Sequence, residues 1–444
     1  MLFLYTLTLW LLLPYVFMRL IWRARKQPEY LHNIGERFGL YSTRSDKPVI
    51  WLHAVSVGET RATQSLVTRL LASYPSHQIL LTHTTPTGRA ASKQIYGDRV
   101  LRVYLPYDYP FAVNGFLLHF RPQLGVLMET EIWFNLIRAC NLNRTPILLL
   151  NARMSENSAR GYARFAQLTR DALCKLAAVS AQTSVDAARL TSLGAINVSV
   201  MGNLKFDIEP PRAMLELGKQ LREQFGPTRK IFLAASTREG EEILLLEALL
   251  DVHIEGLLLV IVPRHPQRFE TVATMLEQRR ISFLRRSELK QEGESYGSGL
   301  QYQTVPSEIQ VVLGDSMGEM FAYYAAADLA FIGGSLLPYG GQNLIEACAV
   351  GTPVLVGPHT YNFDEATRQA VLAGAAVQVC DVAGLANEAQ RLFHDSVSLD
   401  RMRHQCIEYV ETYRGATETA LELVKQHLSI STHPDSLPPA HSSL

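Results

Sequence analysis

The sequence predicts an α/β protein, with two successive doubly wound parallel sheets behind an N-terminal apolar helix. Three observations carry that expectation. Short apolar runs alternate with amphipathic segments of helical period along most of the chain. Such continuous apolar runs suit strands of a parallel sheet covered on both faces. The alternation starts twice, at Val49 and again at Lys230. Between the two starts, residues 208–228 are charged and carry Pro210, Pro211 and Pro227, which suits an interdomain joint.

Residues 1–26 read as a membrane anchor. Met1 to Met18 holds no charged residue, and Leu20-Ile21-Trp22 resumes the apolar character. That length reaches across most of a bilayer or buries obliquely in one leaflet. Arg19, Arg23, Arg25 and Lys26 follow, and the positive-inside rule then places the downstream chain in the cytoplasm. A removable signal peptide would show a basic start and a small-residue cleavage site, and neither is present.

Residues 27–207 make the first domain. Its strands are expected at 49–54, 78–82, 100–105, 124–128, 146–150, 177–181 and 198–202. Residues 229–429 make the second, with strands at 230–235, 257–262, 281–284, 310–313, 329–332, 353–356 and 376–379. Helices near 383–396 and 400–428 close it, and 430–444, rich in Pro, Ser and His, reads as a disordered tail. Ligands of such sheets bind outside the carboxyl ends of the strands, here expected to face an interdomain cleft.

Composition excludes several classes. The 444 residues carry 42 basic and 42 acidic side chains, so nothing in the charge balance asks for a nucleic-acid partner. Five scattered cysteines without a Cys-x-x-Cys read as reduced thiols rather than a disulfide framework or zinc site. Neither Gly-x-Gly-x-x-Gly nor Gly-x-x-x-x-Gly-Lys-Ser/Thr occurs, which argues against a dinucleotide dehydrogenase and a P-loop hydrolase. No Asp-x-Asp pair offers a site for a nucleotide-bound metal, and no His-Glu-x-x-His is present.

Candidate chemistry sits where strands end. Ser56-Val57-Gly58-Glu59 places a carboxylate in a loop that starts a helix, either as a working group or as an acid favoured by the helix dipole. Met128-Glu129-Thr130-Glu131-Ile132-Trp133 sets two alternating carboxylates beside an indole, suited to orienting a base or stabilising charge. Gly202-Asn203-Leu204-Lys205-Phe206-Asp207 ends the first half with a cation for a phosphate or carboxylate. Pro263-Arg264-His265-Pro266-Gln267-Arg268 holds two arginines and a histidine between prolines, where a phosphate is well met. Ser316-Met317-Gly318-Glu319 is a strand-to-helix turn that also satisfies capping-box spacing. Gly-Glu follows the first strand of both halves, as Gly58-Glu59 and Gly240-Glu241.

Residues 331–363 organise the second half. An apolar strand ends in Gly333-Gly334, a loop is closed by Gly340-Gly341, and a helix is expected from Asn343. A glycine-rich turn feeding a helix start is an anion site, with backbone N–H groups and the dipole both favouring negative charge. Asn343-Leu344-Ile345-Glu346 allows two accounts, a carboxylate for a ribose diol or a capping box.

Taken together, the N-terminal anchor and the motifs HAVSVGET, METEIW, NARMS, GNLKFD, ASTREGEE, VPRHPQRF, GDSMGEM and GGQNLIEACAVGTPVLVGPHTYNF resemble the 3-deoxy-D-manno-octulosonic acid (Kdo) transferases of lipopolysaccharide synthesis. The likeness runs from the first residue to about residue 425 and keeps the motif order. It implies a GT-B glycosyltransferase, with two Rossmann-like domains around a cleft, at the inner membrane with its globular part on the cytoplasmic face. The resemblance further implies transfer of Kdo from CMP-Kdo to the tetra-acylated disaccharide precursor of lipid A (lipid IVA), with inversion and with neither metal nor cofactor. By resemblance, Glu59 matches the general base, and Glu129 and Lys205 match residues that stabilise the transition state. Pro263, Arg264, Met317, Gly318, Glu319, Asn343, Leu344, Ile345 and Glu346 match the CMP-binding segments. Two departures stand out: Gln342 replaces a histidine usual in the family, and Phe134 replaces a proline. Two other readings compete, namely a GT-B enzyme using a UDP-sugar and a non-catalytic nucleotide-binding membrane protein.

Overall fold

The computed structural model describes residues 1–289 and 304–432. The chain divides into two compact units, Met1–Asp207 with the segment from Arg414 onward, and Ile208–Tyr413. The expected disordered tail lies almost wholly outside the described residues.

Unit 1 is built on seven parallel strands: β1 (Val49–His53), β2 (Gln78–His83), β3 (Leu101–Tyr104), β4 (Pro122–Met128), β5 (Ile147–Ala152), β6 (Ala178–Ala181) and β7 (Val198–Val200). Their order is β3-β2-β1-β4-β5-β6-β7. The chain therefore reverses its direction of growth between β1 and β4, the switch point where such sheets open a crevice. Every residue of β1 is buried, as the continuous apolar run implies. Gly125 in β4 makes room for this core, because a Cβ there would lie 2.6 Å from the Trp51 ring and 2.4 Å from Ile147.

The N-terminal helix α1 (Leu2–Lys26) packs along unit 1. The Tyr5 hydroxyl donates to Asp108 at 2.9 Å and the Tyr109 hydroxyl donates to the Leu9 carbonyl at 2.8 Å. Phe17 stacks on Phe38 at 5.1 Å, and Leu20 and Ala24 are buried. Phe134, the departure from the family pattern, meets Tyr5 edge-on at 5.0 Å.

Unit 2 repeats the plan with β8 (Lys230–Thr237), β9 (Leu257–Pro263), β10 (Phe283–Arg285), β11 (Val311–Leu313), β12 (Leu329–Ile332), β13 (Val354–Val356) and β14 (Ala376–Gln378). Their order, β10-β11-β9-β8-β12-β13-β14, puts its switch point between β8 and β12.

Two boundaries differ from the sequence expectation. The stretch expected as a joint, 208–228, forms the helix Arg212–Phe225, whose Leu221 and Phe225 are buried and whose Arg222 pairs with Asp328 at 2.8 Å inside unit 2. Its dense charge hid a narrow apolar stripe. The expected helix at 400–428 is two, Ser396–Thr412 and Ala416–Thr432, broken at Gly415, where φ is 111°. The second joins unit 1, not the second domain as expected, because Ala416, Ala420, Val424 and Leu428 form a one-face stripe on the core beneath β1 and β4. Asp207 fastens it, accepting from the Gly415 N–H at 2.7 Å and from the Thr417 N–H. The last residue of the GNLKFD motif is thus a helix clasp.

Candidate functional site

The switch point of unit 1 gathers three of the expected chemical groups, Glu59, Glu129 and Glu131. Helix α2 (Val57–Ala62) follows β1 with Ser56 as its N-cap. The Glu59 carboxylate accepts from the Val55 N–H at 2.8 Å and from the Ser56 hydroxyl at 2.9 Å. Burial raises the Glu59 pKa to about 7, and the Glu129 charge adds to the rise, while the two hydrogen bonds and His53 oppose it. Glu129 itself ends β4 with a φ of 59°, a left-handed conformation that costs a non-glycine residue roughly 1–2 kcal/mol. Such strain, held at the end of a switch-point strand, belongs to functional loops more often than to plain turns.

Glu131 turns to different partners. It accepts from the Trp133 indole N–H at 2.6 Å and stands 3.8 Å from His53 Nε2. His53 is fully buried, with Nδ1 at 2.9 Å from the Thr82 hydroxyl. Lys205 lies three strands further along the same carboxyl edge, on the turn Leu204–Asp207 after β7. Asn151, also left-handed at φ 53°, accepts from the Leu204 N–H at 3.1 Å and so ties that turn to the end of β5.

The paired Gly-Glu dipeptides have taken different work. Glu241 is fully buried, and its carboxylate accepts from the N–H groups of Arg238, Gly334 and Leu336 at 2.8, 2.6 and 3.1 Å. It is saturated, and holds the loop after β12 against the loop after β8. Glycine is required there, since a Cβ on Gly333 would lie 2.3 Å from the Ser236 carbonyl oxygen.

Around this second switch point stand cations and an aromatic ring. Pro263 ends β9, and the Arg264 N–H donates to the Thr237 carbonyl at 3.0 Å. The Arg264 guanidinium donates from Nε to Gln342 Oε1 at 3.2 Å. Gln342, one of the two departures, thus supplies the amide oxygen that orients Arg264. Arg238 lies 4.8 Å over the Tyr339 ring and 2.8 Å from His265 Nε2, a pair that sequence reasoning had not singled out. Glu346 and Arg264 both act electrostatically on the buried Tyr324 phenol, the first raising and the second lowering its pKa.

The helix after the glycine loop is shorter than expected. It runs Ile345–Ala349 with Leu344 as N-cap, too short for a substantial dipole. Asn343 is not the N-cap of a box: its Oδ1 accepts from the Ile345 N–H at 3.2 Å, and its amide donates to Glu346 at 3.3 Å. The N–H groups of Gly333, Gly334, Leu336 and Gly341 in that loop are already taken by protein acceptors. The Met317-Gly318-Glu319 turn exposes Met317 and Gly318, whereas Glu319 pairs with Arg286 at 3.2 Å and accepts from Ser316. The capping-box reading of Ser316 fails as well, because the helix Met320–Ala326 has Glu319 as N-cap.

Two doubly wound parallel sheets of this order define the GT-B fold. A glycosyltransferase of solved structure from Rickettsia africae shares the fold, with a TM-score of 0.57 at 13% identity over 86% of this chain and 99% of its own. The family model for 3-deoxy-D-manno-octulosonic-acid transferase (kdotransferase) matches residues 32–208, and that for glycosyl transferases group 1 matches residues 301–413. The 3-deoxy-D-manno-octulosonic acid transferase of Bordetella pertussis is 40% identical over 96% of this chain and 99% of its own length. That of Haemophilus influenzae is 35% identical over 91% and 93%. The chain belongs to the Kdo transferase family.

Proposed function

We propose that this enzyme transfers Kdo from CMP-Kdo to the tetra-acylated disaccharide precursor of lipid A, by a single inverting displacement without a metal at the donor. The observation that carries the mechanism is Glu59. A carboxylate raised to about 7 at a switch point, next to a second carboxylate, is poised as a general base at neutral pH. The acceptor hydroxyl attacks the anomeric carbon as Glu59 takes its proton. The new C–O bond forms while the bond to the CMP phosphate breaks, and CMP leaves with the electron pair. A single attack on the face opposite the leaving CMP inverts the anomeric centre, and it needs only one base.

The chain's own groups suit the remaining roles. Arg264, oriented by Gln342, offsets the phosphate charge of the leaving group. Glu346, half-buried and held by Asn343, accepts from the ribose diol. Glu129 and Lys205 stabilise the transition state from the carboxyl edge of the first sheet.

Helix α1 suits an acceptor that is a lipid. Leu2–Arg25 is long and apolar enough to cross a membrane, yet Tyr5 at one end and Ala24 at the other both pack on unit 1. Those contacts span roughly 28 Å of helix at about 1.5 Å per residue. Leu4, Leu7, Leu11, Met18 and Trp22 are exposed on a helical stripe. A helix held at both ends by one globular unit lies in the interface of one leaflet rather than across it. The globular part then sits on the cytoplasmic face, as the basic residues from Arg19 onward favour.

The decisive test is mass spectrometry of the product made by purified protein from CMP-Kdo and the lipid A precursor. A mass increase of one or more Kdo units is expected; no increase with CMP-Kdo, but transfer from a UDP-sugar, would overturn the donor assignment.

A further inference from the structure

The motif Asn151-Ala152-Arg153-Met154-Ser155 has no part in the chemistry above. Yet β5, which leads into it, lies between the strands that lead to Glu129 and to Lys205. From Leu149 to Ala152 this strand advances three residues while β6 advances two, from Val179 to Ala181. The extra residue makes a β-bulge, a device that re-aims side chains and ends pairing at a strand end. Asn151 sits in the bulge with its φ of 53°.

Two loops hang on this bulge. On the β4 side, the Glu129 N–H donates to the Leu150 carbonyl at 3.0 Å, and the Thr130 hydroxyl donates to the Arg153 carbonyl. On the β7 side, Asn151 Oδ1 accepts from the Leu204 N–H at 3.1 Å. A second thread starts at the Asn151 carbonyl, which accepts from Gln182 Nε2 at 3.0 Å. Gln182 Oε1 accepts from Asn203 Nδ2 at 3.2 Å, and Asn203 Oδ1 accepts from the Lys205 N–H at 3.1 Å. The backbone at Glu129 and the backbone at Lys205 are thus set from one place.

Turning the chain does not account for Asn151. Glycine would take the left-handed backbone without strain. Asn151 is also wholly buried, and its Nδ2 has no hydrogen-bond partner among the described residues. The Leu204 N–H requires an oxygen opposite it, so the amide nitrogen must face the other way. A left-handed side-chain residue and an unpaired buried N–H both cost stability. The return on that cost is the placement of the Lys205 turn.

We infer that Asn151 is a positioning residue for the transfer reaction, holding the Lys205 turn in register with the Glu129 loop along the carboxyl edge of the first sheet. Being wholly buried, it acts through Lys205 rather than on a substrate. The inference rests on the transition-state role proposed for Lys205 above. A displacement of about 1 Å in such a group is enough to slow a reaction by up to roughly a hundredfold.

The test is a double-mutant cycle on the full-length enzyme, read as kcat for transfer from CMP-Kdo. Lys205→Ala should lower kcat by roughly a hundredfold. Asn151→Gly keeps the backbone conformation and removes the side chain; it should lower kcat by roughly tenfold or more, with KM for CMP-Kdo unchanged. In the Lys205→Ala background the same change should cost less than about threefold, because nothing is left to position. Asn203→Ala, at a half-buried site, cuts the second thread and should lower kcat in the same direction. It takes the place of Asn151→Gly in the cycle if that variant lowers the melting temperature. Losses that multiply in full in the double variant, or wild-type kcat in both single asparagine variants, overturn the positioning role and leave that of Lys205 standing. Wild-type kcat in Lys205→Ala overturns the Lys205 role, and this inference with it.

Discussion

Glu59 and Glu129 stand at the carboxyl ends of β1 and β4, the adjacent strands at which the first sheet reverses, and the charge of Glu129 helps burial to raise Glu59. Two carboxylates in one low-dielectric site cannot ionise independently. Burial and the neighbouring Glu129 charge together bring the Glu59 carboxyl to about 7. Sequence neighbours do not create this pair; strand order does.

The rate should therefore follow Glu59 ionisation. The kcat/KM of wild type is expected to rise with pH through an acidic limb centred near 7. Glu129→Gln should move that limb toward lower pH, because the repelling charge is gone. Glu59→Gln should abolish turnover, while CMP still raises the melting temperature. A pH–rate profile with no acidic limb between pH 5 and 8 argues against Glu59 as the base.

The same shift makes Glu59 a burden on stability. Its folded pKa of about 7 lies above the ordinary 4.5, so the folded state binds the proton more tightly. Stability from this group falls as pH rises between those values and stays low above them. Glu59→Gln should thus stabilise the protein at pH 8, by up to about 3 kcal/mol, with the gain disappearing near pH 4. Chemical denaturation at the two pH values checks both sign and window.

Glu346 separates two accounts of its loop. If it holds the ribose diol, Glu346→Ala weakens CMP binding tenfold or more in calorimetry. If it serves only to brace Asn343, the cost is about 1 kcal/mol of stability, as for a lost local hydrogen bond, with CMP affinity intact.

Glu241 is expected to behave in the opposite way to Glu59. Glu241→Ala strips three buried N–H groups of their acceptor, a loss on the order of 3 kcal/mol or more. Donor binding should fall with stability, and the pH dependence of the remaining activity should be unchanged.

The disposition of α1 is open to a direct measurement. An epitope placed before Met1 should be accessible on the same side of sealed vesicles as the globular domain. Protection of the epitope on the opposite side would show a spanning helix and refute the in-plane arrangement.

Periodicity, turn residues and motif order made much legible from the sequence. All fourteen strands fall close to where they are expected; the central ones, buried on both faces, are written as continuous apolar runs. The tertiary structure decided the matters that depend on distant partners. What each Gly-Glu carboxylate is free to do turned on which donors reach it: one N–H and one hydroxyl for a half-buried Glu59, three N–H groups for a fully buried Glu241. The C-terminal helix found its unit through four apolar residues and the clasp of Asp207. Arg37 belongs to none of the motifs named in the sequence; only folding buries it against Tyr104. Local pattern sets which segments are strands and helices, but a side chain's chemistry depends on its desolvation and neighbours, and those are properties of the folded chain.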